Sequence, residues 1–183
     1  MNSSSQQFET TIKSSFDPLL TFDCIVKDKR LKAFYYGYSD DSPLQHVLEV
    51  GFSDGHHTLF GCSEDHGWFD YNNEKDTEYV TAIKDDLNVL LLLDASSTMW
   101  STCFTIDENK NLFNVYVLKK VKEGKGVVFC VYYNGDYKFD LKKKDNTWEW
   151  LTSRKINPEE RNDDMVCRVL SHLDEQAKVH PIY

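Results

Sequence analysis

The sequence predicts an α+β fold: a single domain, residues 1–183, that is mainly an antiparallel β meander with about three helices, at the start, middle and end of the chain. Three observations carry that expectation. Strand-like runs follow one another with only turns between them, helical periodicity is confined to isolated segments, and the βαβ alternation of parallel folds is missing. At 183 residues, with 40 % hydrophobic and 14 % aromatic content, the chain is long enough to bury one sizeable core.

Taken in order, Phe8, Ile12 and Phe16 recur every four residues after a serine run and predict a short amphipathic helix ending before Pro18. Leu19 to Val26 and Leu31 to Tyr38 read as a first hairpin around Lys27-Asp28-Lys29-Arg30, the second arm dense in the aromatics that favour a pleated surface. Val47 to Phe52 and Thr58 to Cys62 flank Ser53-Asp54-Gly55-His56, where Asp-Gly suits the positive backbone dihedrals of a tight hairpin turn. Ser63 to Lys75 is polar, with Gly67 and Asn72-Asn73 as breakers, and is expected to be a loop holding at most one short strand.

Asp76 or Thr77 then caps a central helix on which Tyr79, Val80, Ile83, Leu87, Leu90 and Leu91 form one apolar stripe. Five strands follow in a meander: Met99 to Ile106, Leu112 to Lys119, Val127 to Tyr133, Tyr137 to Leu141 and Thr147 to Leu151. Asn157-Pro158-Glu159-Glu160 starts the last helix, with asparagine at the cap and proline where its missing N–H costs nothing, and Met165, Val166, Val169, Leu170 and Leu173 form its apolar face.

Charge is the most uneven property of the chain. Asp40 to Asp94 carries thirteen carboxylates against two lysines, a net −11, whereas the whole protein is −9. A field of one sign suits a basic partner. The same balance argues against nucleic acid and against an acidic membrane surface, both of which are bound through lysine and arginine. Val89 to Leu93, the longest apolar run, falls far short of the roughly 20 residues that a bilayer span needs. Met1 to Gln7 lacks the ordered regions of a signal peptide, and five widely spaced cysteines suit reduced thiols, so a cytoplasmic protein is expected.

Candidate chemistry is sparse. His56, His57, Cys62 and His66 have zinc-ligand types, but no C-x-x-C or H-E-x-x-H accompanies them and adjacent histidines in a strand point to opposite faces. Nothing in the chain resembles G-x-S-x-G or a phosphate-binding glycine loop, and carboxylate pairs such as Asp85-Asp86 read as solvated surface. No cofactor, no metal and no catalysis is therefore expected. Lys119, Lys120, Lys122, Lys125, Lys142, Lys143 and Lys144 read as guards of hairpin ends and sheet edges, on the ground that arginine and stacking aromatics are missing beside them. The expected partner-binding surface is instead Asp54, Glu64, Asp65, Trp68, Asp70, Tyr71, Glu74 and Asp76, a set of aromatic anchors within a charged surround.

An N-terminal helix, an aromatic hairpin with Phe34-Tyr35-Tyr36, a leucine-rich helix after an acidic loop, then Trp100 to Phe104 with Phe113 across the turn Asp107 to Asn111, resembles small acidic bacterial immunity proteins of the YezG-like antitoxin family. The chain departs from that pattern in its extra strands between Val127 and Leu151. The resemblance implies an inhibitor that occludes the cleft of a cognate toxin, often a nuclease with a basic cleft. The competing expectation is a small-molecule or hydrolytic site on the concave face of the sheet.

Overall fold

The computed structural model describes residues 17–38, 47–63, 65, 67–72, 77–93, 98–109, 111–145, 147–151 and 163–179. Its elements run β1 (Leu20–Val26), β2 (Lys29–Tyr38), β3 (Val47–Phe52), β4 (His57–Ser63), β5 (Gly67–Asp70), α1 (Glu78–Leu90), β6 (Thr98–Glu108), β7 (Asn111–Lys122), β8 (Gly126–Tyr133), β9 (Asp136–Lys144), β10 (Thr147–Leu151) and α2 (Asp163–Val179). They build two five-stranded antiparallel sheets, ordered β1-β2-β3-β4-β5 and β10-β9-β8-β7-β6.

The second sheet is the expected meander, each strand longer than or equal to its predicted span. The first is a finding of the structure: the two predicted hairpins and the short strand of the acidic loop join into a second meander. The described residues hold two helices, not three, and both the predicted N-terminal helix and the predicted start of the last helix at Asn157 lie outside them. No helix among the described residues is long and apolar enough to cross a membrane.

Turn chemistry explains the tight connections. Lys27 and Asp28 both take positive φ (48° and 61°), so the first turn is two residues long, with Lys29 and Arg30 already in β2. Asn134-Gly135 makes the equivalent turn between β8 and β9 (φ 50° and 79°). A side chain at Gly135 would also meet the Asp85 carbonyl oxygen at 2.9 Å, so this turn rests directly on α1.

Alternation sorts the strands into faces. Phe22, Cys24, Tyr35, Val50, Phe52, Phe60 and Trp68 point from the first sheet onto Val80, Ile83, Leu87 and Leu90 of α1, and Tyr116, Leu118, Val128 and Cys130 of the second sheet join the same core. The opposite face of the second sheet, with Val115, Val117, Phe129, Val131, Phe139 and Leu141, packs on Met165, Val169 and Leu173 of α2. Burying each such side chain is worth about 1.5–3 kcal/mol. The inner faces of both sheets are thus turned toward α1.

Strands β1 and β6 meet along a polar seam. The Asp23 N–H donates to the Thr105 hydroxyl at 3.2 Å, and the Asn114 amide donates to the Asp23 carbonyl at 3.1 Å. Arg30 bridges Asp23 (2.6 Å) and Asp107 (2.7 Å), and Phe22 meets Tyr116 edge to face.

Candidate functional site

Most described residues of the acidic segment lie on β3–β5, the β3–β4 turn and α1. Gly55, at φ 93°, closes the turn, with the Phe52 N–H on the His56 carbonyl at 2.7 Å and the Gly55 N–H on the Phe52 carbonyl at 3.0 Å. This places Asp54 at the tip, where its carboxylate accepts from the His56 N–H (3.1 Å) and from the Tyr79 hydroxyl (2.8 Å). Burial pushes the Asp54 carboxyl up, but these bonds and the nearby His56 outweigh it and leave its pKa below the usual carboxylate value. Burial, with Asp54 opposite, raises Tyr79 to about 12. The His56 ring stacks on Tyr79 at 3.9 Å, and its Nε2 lies 3.7 Å from Asp70.

The structure divides the expected binding residues. Asp65 and Asp54 are exposed and Tyr71 is half-buried. Trp68, only 5 % exposed, belongs to the core and donates its indole N–H to Asn88 at 2.8 Å. Asp70 is fully buried and accepts from the Thr58 hydroxyl (2.6 Å) and the Asn72 N–H (3.1 Å). Both are corrections to the surface expectation: β5 alternates its side chains, so Trp68 and Asp70 share the inner face and hold the strand to α1 and β4. Glu64, Glu74 and Asp76 lie outside the described residues.

The histidines do not converge. His57 turns to the outer face, 3.2 Å from Glu49 and beside Tyr36, while His56 faces Asp70 and Cys62 packs on the inner core. His66 lies outside the described residues, among which no three histidine, cysteine or acidic side chains are placed to hold a metal ion. All five cysteines are free thiols, and burial raises Cys24, Cys62, Cys103 and Cys130 above the usual thiol value, which keeps them protonated and poorly nucleophilic.

Two buried carboxylates escaped the sequence reading. Asp86, 7 % exposed, was placed with the solvated pair Asp85-Asp86, yet its Oδ1 accepts from the Asn114 amide (3.1 Å) and the Tyr116 hydroxyl (2.9 Å). Burial dominates and raises its pKa to about 7. Its position three residues after Ile83 and four before Leu90, on the apolar stripe, was the legible signal. Asp140, wholly buried, lies against Lys122 at 2.8 Å and Lys125 at 3.3 Å.

The lysines of the second sheet also differ from expectation, since aromatics do lie beside them. Lys119 sits over Phe129, Lys122 over Tyr137, Lys138 over Tyr133 and Lys143 over Trp148, at 5.0–5.9 Å from the ring centres. Alternation across paired strands produces these contacts, which linear spacing does not reveal. An open groove of about 450 Å³ runs between β6 and α2, lined in part by Phe104, Asp107, Cys167, Arg168, His172 and Glu175. There His172 stacks on Phe104 and shares a 2.9 Å hydrogen bond with Thr102, and burial lowers its pKa against the pull of Glu175. Arg168 is tied to Asp164 and Glu108.

No family model matches the chain, and no curated protein or solved structure does either.

Proposed function

We propose that the protein is a non-catalytic, cytoplasmic binding protein that neutralises a basic protein partner, acting as an immunity protein that occludes the cleft of a cognate toxin such as a nuclease. One observation supports this reading above the others. Glu78 pairs with Lys27, but exposed Asp54, Asp65 and Asp85 meet no lysine or arginine among the described residues. Asp54, Asp65 and Asp85 are exposed and held, where they are held at all, by neutral groups, so their charge faces outward uncancelled. Such a field steers a basic partner into contact, and association of that kind weakens as salt rises. The small-molecule reading has less room, because the inner faces of both sheets turn toward α1 side chains.

The test uses the purified protein as bait in a lysate of its own source, with a triple variant Asp54→Lys, Asp65→Lys, Asp85→Lys and a distant control, Asp145→Lys. The expected result is one stoichiometric basic protein, eluting as salt rises, lost with the triple variant and kept with the control. For the isolated pair, the triple variant should slow association roughly tenfold or more at low salt. Capture that ignores both salt and charge reversal would sink the acidic-surface reading.

A further inference from the structure

We propose that the end of the second sheet around the β7–β8 turn is a binding site for a small phosphate-bearing anion, with the ammonium groups of Lys122, Lys125 and Lys142 as its donors. The three lysines come from different places in the chain, the end of β7, the turn after it and the last part of β9, and the sheet brings them together. Asp140 organises them. Its side chain is fully buried, and it receives Lys122 on both oxygens (2.8 and 3.0 Å) and Lys125 on one (3.3 Å). The Lys142 ammonium in turn donates to the Lys125 backbone carbonyl at 2.9 Å.

Two ammonium groups share the buried Asp140 carboxylate and the third lies beside them on the Lys125 carbonyl, with Glu123 in the same turn and Glu149 across from Lys142. Lysines that only keep a sheet edge from pairing point singly into water. Lys122 and Lys125 instead converge on a buried carboxylate, their side chains still 34 % and 37 % exposed. Each ammonium carries three N–H donors, and the bonds above use only part of that supply, so donors remain for an incoming oxyanion. Lys120 is spent differently: its ammonium reaches the Leu92 carbonyl at 3.3 Å, just past the end of α1, where a cation satisfies the helix terminus. Tyr137, 40 % exposed and under Lys122 at 5.0 Å, gives the site one aromatic wall.

A compact oxyanion with several acceptor oxygens answers the donors that remain on the three converging ammonium groups. The site is independent of the acidic surface and can fail without it. The experiment is calorimetric titration of inorganic pyrophosphate at low salt into the full chain and into Lys125→Met, Lys142→Met and Lys143→Met. Lys142→Met removes a bond to the Lys125 backbone carbonyl but none to Asp140, and Lys125→Met leaves Lys122 on Asp140, so both should fold, with near-ultraviolet dichroism as the check.

Binding tighter than roughly 1 mM, weakened about tenfold or more by Lys125→Met and by Lys142→Met but not by Lys143→Met on the opposite face, supports the site. Absence of binding overturns it, as does binding that neither variant weakens. A single-stranded oligonucleotide that binds where pyrophosphate does not would also overturn it, in favour of an extended nucleic-acid surface.

Discussion

In the half of the molecule built on β3–β5 and α1, carboxylates accept hydrogen bonds mainly from neutral groups; in the half built on β7–β10, they lie against ammonium groups. Asp70 takes the Thr58 hydroxyl, Asp54 the Tyr79 hydroxyl and Asp86 an amide and a phenol. Asp140, Asp136 and Glu149 take lysines. A neutral donor satisfies a lone pair without cancelling charge, so the first half keeps its negative field. The second cancels or overshoots its own. The seam between them, where Arg30 spans Asp23 and Asp107, is the place where opposite charges are matched across the halves.

The sharpest way to test this contrast is through pH at Asp86, the most buried of the neutrally held carboxylates on α1. Its carboxyl titrates about 7 in the fold against an ordinary value of 3.8, so between those values the folded chain keeps a proton that the unfolded chain has lost. Stability contributed by this group is therefore full below 3.8 and falls as pH rises to about 7. Asp54, Asp23 and Asp140, whose pKa values are lowered, act oppositely and lose their contribution in acid. The expected outcome for Asp86→Asn, relative to the parent, is a gain growing over that window to at most about 4 kcal/mol, read by urea unfolding at several pH values. A gain independent of pH would contradict the assignment.

Lys122→Met should cost about 3 kcal/mol, because it strips the main cation from a fully buried carboxylate and leaves Lys125 and the neutral donors Tyr137 and Cys130. Thr58→Val, its counterpart in the acidic half, removes a neutral donor from buried Asp70 and should cost about 1–2 kcal/mol, since the Asn72 N–H remains. If the two losses came out equal, the distinction between ionic and neutral support would lose its energetic content. Tyr79→Phe is the mildest change. It frees exposed Asp54 to bind water, and a loss under about 1 kcal/mol is expected by thermal unfolding, with partner binding unchanged.

Much of the fold was legible because period-two alternation, turn residues and one helical stripe are local properties. The Asp54-Gly55 and Asn134-Gly135 turns, the Thr77 cap, whose hydroxyl accepts the Val80 N–H at 3.4 Å, and the β6–β10 meander all rest on neighbouring residues. The candidate surface was legible only as composition. Counting finds where carboxylates accumulate, but not which of them a strand turns inward, and so Trp68 and Asp70 were expected outside while Asp86 was expected in water.

By itself, then, the sequence determined the order and type of the elements between Leu20 and Leu151, the concentration of negative charge before the second meander and the absence of a recognisable catalytic motif. Tertiary structure alone decided that the first five strands close into their own sheet, that α1 lies against the inner faces of both, and that Lys122 and Lys125 meet at Asp140 with Lys142 on the Lys125 carbonyl. The reason is physical. Backbone preference and periodicity act over a few residues, whereas the side a carboxylate faces and the cation it meets depend on strand register and on what packs across the sheet.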